Sequence, residues 1–256
     1  MKKPSPATKI ARWVRQLRAG ASSGSGTPRP PASLRDNPDR DGQSPAVIPG
    51  DQPILKHPLT IFDLETSGLD MQRDTVLSIG AVRIENNAIP LTSHIDNVLQ
   101  VDTRLKRDSQ LLHGLSQEDL QHGMPAGVAL RGLLAYGKDS IWMAFHAGFD
   151  RRMLDRALRH HLDIGFDQTL FDVAALAPML FPEYDTQAAG LDHWAQVFGL
   201  STSARHTAAA DAFLTAEITL VLLNQAHRKG LQTWGQLASA LRQWEQRRLT
   251  PAGPMF

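Results

Sequence analysis

Ile61-Phe62-Asp63-Leu64-Glu65-Thr66-Ser67-Gly68-Leu69 is the stretch on which the reading of this chain turns. The apolar run from Leu59 to Leu64 predicts a buried strand that ends in acids. Side chains two positions apart leave the same face of a strand, so Asp63 and Glu65 project together while Leu64 points the other way, into the core. Two adjacent carboxylates repel, and burying them requires compensation, most simply by a cation. Hard divalent ions such as Mg²⁺ take oxygen ligands, which makes this pair a natural anchor for one. Taken alone, the segment is weak evidence for a metal and reads as a strand end followed by a polar turn.

Two further segments carry the same kind of chemistry. Phe145-His146-Ala147-Gly148-Phe149-Asp150 follows an apolar run, 140–145, and opens a helix over 150–161, so Asp150 lies where a strand edge meets a helix N-terminus. The ordinary account of such an acid is that the helix dipole favours it. Arg205-His206-Thr207-Ala208-Ala209-Ala210-Asp211 sets His206 before a long helix, 207–228, with Asp211 inside it. The alanines between them leave room for close approach of backbone or substrate. Here the ordinary account is a histidine near a cap and a surface aspartate.

In this order the three segments resemble the exonuclease motifs of the DnaQ-like DEDDh 3′–5′ exonucleases, a family that includes the proofreading subunits of bacterial DNA polymerase III. The motifs read Asp-x-Glu-Thr-x-Gly, His-x-x-Phe-Asp and His-x-Ala-x-x-Asp. His113-Gly114-Leu115-Ser116 looks like the His-Gly-Ile-Thr element between the first two. The resemblance spans about residues 58–228 and implies an α/β ribonuclease H-like fold, a central mixed five-stranded sheet with flanking helices. It implies that Asp63, Glu65 and Asp211 ligate two Mg²⁺ ions, with Mn²⁺ as a substitute, and that Asp150 helps to hold the second. His206 takes the place of the general base. Thr66, His113 and Phe149 match substrate-pocket positions, and Leu69 is expected to join Phe149 in apolar contact with an unstacked terminal base. Ser67 stands where a second Thr is frequent, and Leu115-Ser116 where Ile-Thr is; neither change touches a charge.

The implied activity is metal-dependent hydrolysis from the 3′ end of nucleic acid, with single-stranded DNA as substrate and nucleoside 5′-monophosphates as products. An exoribonuclease of the same family is the first alternative, because the metals meet the phosphate and not the 2′ oxygen. The second is a non-catalytic binding module, against which stands the retention of all five signature residues.

Outside this body the chain changes character. Its 256 residues are 42% hydrophobic and 21% charged, enough for a sizeable core, and no apolar run is long enough to span a membrane. The absence of Cys excludes a disulfide scaffold, a thiolate zinc site and a Cys nucleophile. Residues 1–50 hold nine Lys/Arg against three acids, in a chain whose formal net charge is +1. Within them, 9–18 reads as a short basic amphipathic helix, with Ile10, Trp13, Val14 and Leu17 on one face. From Gly20 to Gly50, 16 of 31 residues are Gly, Pro or Ser, the composition of a flexible linker. Residues 1–56 are therefore expected to be mostly disordered, 57–228 to form the exonuclease domain, and 229–256 to add a helix (231–247) and tail packed on it. A DNA polymerase or repair partner would meet that C-terminal helix or the basic arm. The expected location is the cytoplasm by default, with mitochondrial targeting by the arm as the lesser alternative.

For the remaining elements, patterning predicts strands at 76–84 and 88–98 around the Glu85-Asn86-Asn87 turn, and helices at 104–112, 126–136, 172–180 and 190–198.

Overall fold

The computed structural model describes residues 50–90, 93–105, 110, 113–186, 189–200 and 206–249. The basic arm and almost all of the Gly/Pro/Ser-rich linker lie outside the described residues, as does most of the helix expected over 104–112.

The sheet has six strands: β1 (Leu59–Thr66), β2 (Val76–Ile84), β3 (His94–Gln100), β4 (Met124–Pro125), β5 (Ile141–Ala144) and β6 (Leu170–Asp172), in the spatial order β4-β3-β2-β1-β5-β6. β1 pairs antiparallel with β2, and β2 with β3, while β1–β5, β5–β6 and β3–β4 are parallel. The mixed sheet is as expected. The strand count is not: five were expected, and the sixth, β4, is a two-residue strand that no period-2 pattern announces. β6, of three residues, takes its place by register against β5. The third strand begins at His94 and not at 88. Asn86 and Asn87 both take positive φ (50° and 60°) in the turn, and only the Glu85–Ala88 bridge follows before Pro90, which has no N–H to offer a ladder.

Seven helices cover the sheet among the described residues: α1 (Gln117–His122), α2 (Ala126–Tyr136), α3 (Ala147–Leu162), α4 (Val173–Leu180), α5 (Leu191–Phe198), α6 (Ala208–Arg228) and α7 (Trp234–Leu249). α1 was not foreseen; Ser116 caps it in a reciprocal box with Asp119. The long α6 closes as its sequence foretells, with His227 and Arg228 in the last turn and Gly230 at φ 87° beyond it.

Central β1 separates two cores. Leu59 and Ile61 face a larger one built with α4, α5, α6 and α7, whereas Phe62 and Leu64 face α2 and α3. Phe62, Trp142 and Phe166 interlock edge-on in the second core, with ring centroids 5.2–6.2 Å apart. Residues 50–56, expected within the linker, belong to the folded body. Ile54 is buried, its N–H donates to the Gln232 carbonyl, and Pro53 bridges Thr233 at the start of α7. No helix among the described residues is long and apolar enough to cross a membrane.

Candidate active site

The two acids of the first motif stand on the last turns of the pleat in β1, and the parity that sends Leu59 and Ile61 toward α6 sends Asp63 and Glu65 the same way. α6 meets them because the sheet has a gap in its side-chain layer. Gly80 of β2 is the cross-strand partner of Asp63, and a Cβ on it would lie 2.1 Å from the Ala208 carbonyl carbon. The first turn of α6 therefore rests on bare backbone, and its next residue but two, Asp211, reaches β1. Ligand oxygens of Asp63, Glu65 and Asp211 all lie within 4.8 Å of one another. The ladder also shifts register between Glu65 and Thr66, an irregularity that turns the end of the strand toward the site.

Asp150 is not one of these three converging residues. It is buried in the first turn of α3, accepts a hydrogen bond from the Leu64 main-chain N–H, and has Asp172 and Glu65 as charged neighbours. Burial first, then repulsion from those two carboxylates, pushes its carboxyl up to about 8. His206 is exposed at φ 62°, immediately before the α6 cap Thr207, and is not one of the three residues whose ligand atoms converge.

Of the expected pocket residues, Thr66 ends β1 and Leu69 lies just beyond it. Thr66 turns its hydroxyl to the Gly68 carbonyl (2.8 Å) and so stiffens the loop that follows β1. Leu69, on that loop, is 84% exposed, and Phe149 on α3 is half-buried. His113 is buried. Its Nδ1 accepts the Leu115 N–H at 3.1 Å, while its Nε2 has no hydrogen-bond partner among the described residues. A buried ring nitrogen in that state is the kind of group a ligand completes.

Three residues of the surround went unremarked in the sequence. Asp172, the cap of α4, accepts N–H groups from Ala174 (2.9 Å) and His146 (3.0 Å); burial pushes its carboxyl above the usual range. Its signal was an Asp directly before an apolar helical run. Asp74 and Arg156 hold the 67–75 loop and had no local signal at all, since their partners are distant in sequence or on the main chain.

The donor set suits a hard cation: three carboxylates and, in that group, neither sulfur nor imidazole. Residues 60–219 match the model of the RNase_T family, described as exonuclease.

The chain belongs to the exonuclease family. It is a DnaQ-like exonuclease, the class that the motif resemblance had implied, and its acid cluster could hold a metal ion. Among its relatives are the PolC-type DNA polymerase III of Thermotoga maritima, 29% identical over 171 residues, and that of Caldanaerobacter subterraneus subsp. tengcongensis, 25% identical over 217. These alignments cover 67% and 80% of this chain but only 12% and 14% of the polymerases. The exonuclease fold recurs in exonuclease I of Methylocaldum szegediense (TM-score 0.56, 17% identity, 68% of this chain and 42% of that one). It recurs again in exonuclease X, whose structure holds 5′-overhanging duplex DNA (TM-score 0.55, 18% identity, 72% and 99%).

Proposed function

We propose that this exonuclease removes nucleotides one at a time from the 3′ end of single-stranded DNA, releasing nucleoside 5′-monophosphates with two Mg²⁺ ions, which Mn²⁺ can replace. The observation that carries the reading is the convergence of Asp63, Glu65 and Asp211 within 4.8 Å at the end of a strand whose following loop is tied down. These three carboxylates would hold the ions, and Asp150 would support the second. When bound, such ions lower the pKa of a water and neutralise charge at the phosphate and the leaving oxygen.

The chain's own groups do the rest. His206 accepts the proton of the attacking water at a ring nitrogen, a task for which an imidazole is suited. It stands exposed just ahead of the α6 cap, on the same element end as Asp211. Leu69 and Phe149 take the unstacked terminal base between them, and Nε2 of His113, which carries the ring proton while Nδ1 accepts from Leu115, donates to the terminal nucleotide. Apolar contact and phosphate binding are indifferent to sequence, which fits stepwise removal of any nucleotide.

The PolC relatives are DNA polymerases, and exonuclease I of E. coli and exonuclease X are described with DNA, which favours DNA over RNA as substrate; the PolC likeness also favours a DNA polymerase as a partner. α7 spends its apolar face on this chain's own core (Trp234, Leu237, Ala238 and Leu241 are buried), so such a partner would use another surface.

The deciding experiment is digestion of 3′-labelled single-stranded DNA, duplex DNA and RNA side by side with Mg²⁺. Mononucleotides released first from single-stranded DNA, and none with chelator, is the expected result. Faster release from RNA would turn the reading to an exoribonuclease, and cutting of closed circular strands would overturn it.

A further inference from the structure

α7 lies beyond residue 219, where the family match ends, and it builds one wall of a cleft of about 490 Å³. Trp244 and Arg248 line that wall. Pro178 of α4 and Asp185 line the other side, and His146 and Asp172 form the inner end. The inner end is part of the active-site framework: Asp172 binds the His146 N–H and stands among the charged neighbours of Asp150. The cleft thus shares Asp172 with the surroundings of Asp150, and none of its lining residues lies on the 67–75 loop.

We propose that this cleft is a binding site for the nucleotides that precede the scissile bond, with the Trp244 ring against a base and the Arg248 guanidinium on a backbone phosphate. The inference rests on the reading of the acid cluster as a 3′-exonuclease centre.

A path for single-stranded nucleic acid needs an aromatic platform and a nearby cation. Both are here on one helix: the Arg248 guanidinium lies over the half-buried Trp244 ring, 4.7 Å from its centroid, so that a base stacks on the ring once Arg248 turns to a phosphate. Around them α7 carries Arg242 and Arg247 against Glu245, so the helix presents net positive charge to an approaching strand. The acids in the lining do not oppose this. Asp172 is already engaged by N–H groups of His146, Ala147 and Ala174. Asp185 pairs with Arg248 at 2.8 Å, with the arginine 54% exposed, and an ion pair so open to water holds weakly enough for a phosphate to replace the carboxylate. His146, exposed and fixed in a left-handed conformation by the α3 cap, marks the point where the strand passes from the acids into the cleft.

Steady-state kinetics on two substrates, a dinucleotide and a twelve-residue single strand, tests this with Arg248→Ala and Asp185→Asn. In Arg248→Ala, KM for the twelve-mer should rise roughly tenfold more than KM for the dinucleotide, the loss of one charged contact. Its salt dependence should also become shallower by about one phosphate contact. Asp185→Asn should lower KM for the twelve-mer, because the competitor for Arg248 is gone. A purely structural ion pair would instead move both variants in the same direction on both substrates, and that result, or equal KM changes on the two substrates, overturns the inference. Failure of the unmodified chain to hydrolyse either substrate with Mg²⁺ or Mn²⁺ would overturn the exonuclease reading itself, and the cleft assignment would fall with it.

Discussion

Arg156 of α3 donates a hydrogen bond from Nη1 to the Met71 carbonyl at 2.8 Å, 85 residues away in sequence, and a second from Nη2 to the Asp74 carbonyl. One guanidinium thereby joins the helix that carries Phe149 and Asp150 to the loop that carries Leu69. The loop is also braced from within. Asp74 accepts from Ser67 Oγ (2.9 Å) and the Asp70 N–H (2.8 Å), and Ser67 Oγ accepts the Thr75 N–H (3.0 Å). Gly68 is required there, since a Cβ would lie 2.4 Å from an Asp74 oxygen.

Arg156→Ala should therefore loosen the terminal-nucleotide pocket without touching the acids. The expected result is a KM raised roughly tenfold and a stability loss of about 1–2 kcal/mol, with Mn²⁺ affinity unchanged. Arg156→Lys should recover little, because a single ammonium does not reproduce a planar fork that meets two carbonyls. Kinetics, thermal melts and Mn²⁺ calorimetry on the two variants check this; an unchanged KM in Arg156→Ala would reject the coupling.

Asp63→Asn and His206→Ala should separate metal binding from proton transfer. Removing one carboxylate from three that lie within 4.8 Å of one another is expected to abolish detectable Mn²⁺ binding and, with it, turnover. His206→Ala should keep Mn²⁺ and oligonucleotide binding while losing about 10²–10⁴ in kcat, the usual share of a general base. Turnover near the original level at pH 7–8 would remove His206 from that role.

The metal-free protein should grow less stable as pH rises. In the folded chain Asp150 keeps its proton up to about 8, against 3.8 for the ordinary carboxyl. Between those values the unfolded state has released a proton that the folded state still holds, so unfolding free energy falls with pH, by at most about 1.4 kcal/mol per unit, and levels off above the upper value. Asp150→Asn removes the slope and should be more stable than the original chain at pH 8 in chelator, although inactive. Denaturant titrations across pH 5–9 measure it; a slope of the opposite sign would contradict the assignment of a buried, neutral carboxyl.

Much of this was legible in the residues because it is local. The strand parity that pairs Asp63 with Glu65, the alanine run before Asp211 and the cation-and-glycine end of α6 are each written within a few positions. What was not legible depends on distant partners. β4 and β6, of two and three residues, exist only through their neighbours' free edges, and no period can show in so few positions. The place of residues 50–56 in the folded body comes from main-chain bonds to Gln232, Trp234 and Gly235, which a Pro- and Gly-rich composition hides. Asp172 and Arg156 likewise act on backbone groups contributed by other segments.

Gly80 offers the sharpest test of how the fold assembles the acids. It faces Asp63 across the β1–β2 ladder, and α6 lies so close that an added methyl would meet the carbon and oxygen of Ala208 and the nitrogen of Ala209 at 2.1–2.2 Å. All three atoms are main chain, so no side chain can move aside; the helix itself must lift. Gly80→Ala should cost about 3 kcal/mol from overpacking. It should also move the first turn of α6, and Asp211 with it, away from Asp63 and Glu65. Activity should therefore fall by more than stability explains: at a temperature where the variant is fully folded by circular dichroism, Mn²⁺ affinity should still be reduced. Gly132→Ala, on α2 with nothing within 4 Å of the new methyl, is the matched control and should leave both unchanged. Equal Mn²⁺ binding by folded Gly80→Ala and the original chain would mean that Asp211 reaches the other two acids without the close contact at Gly80.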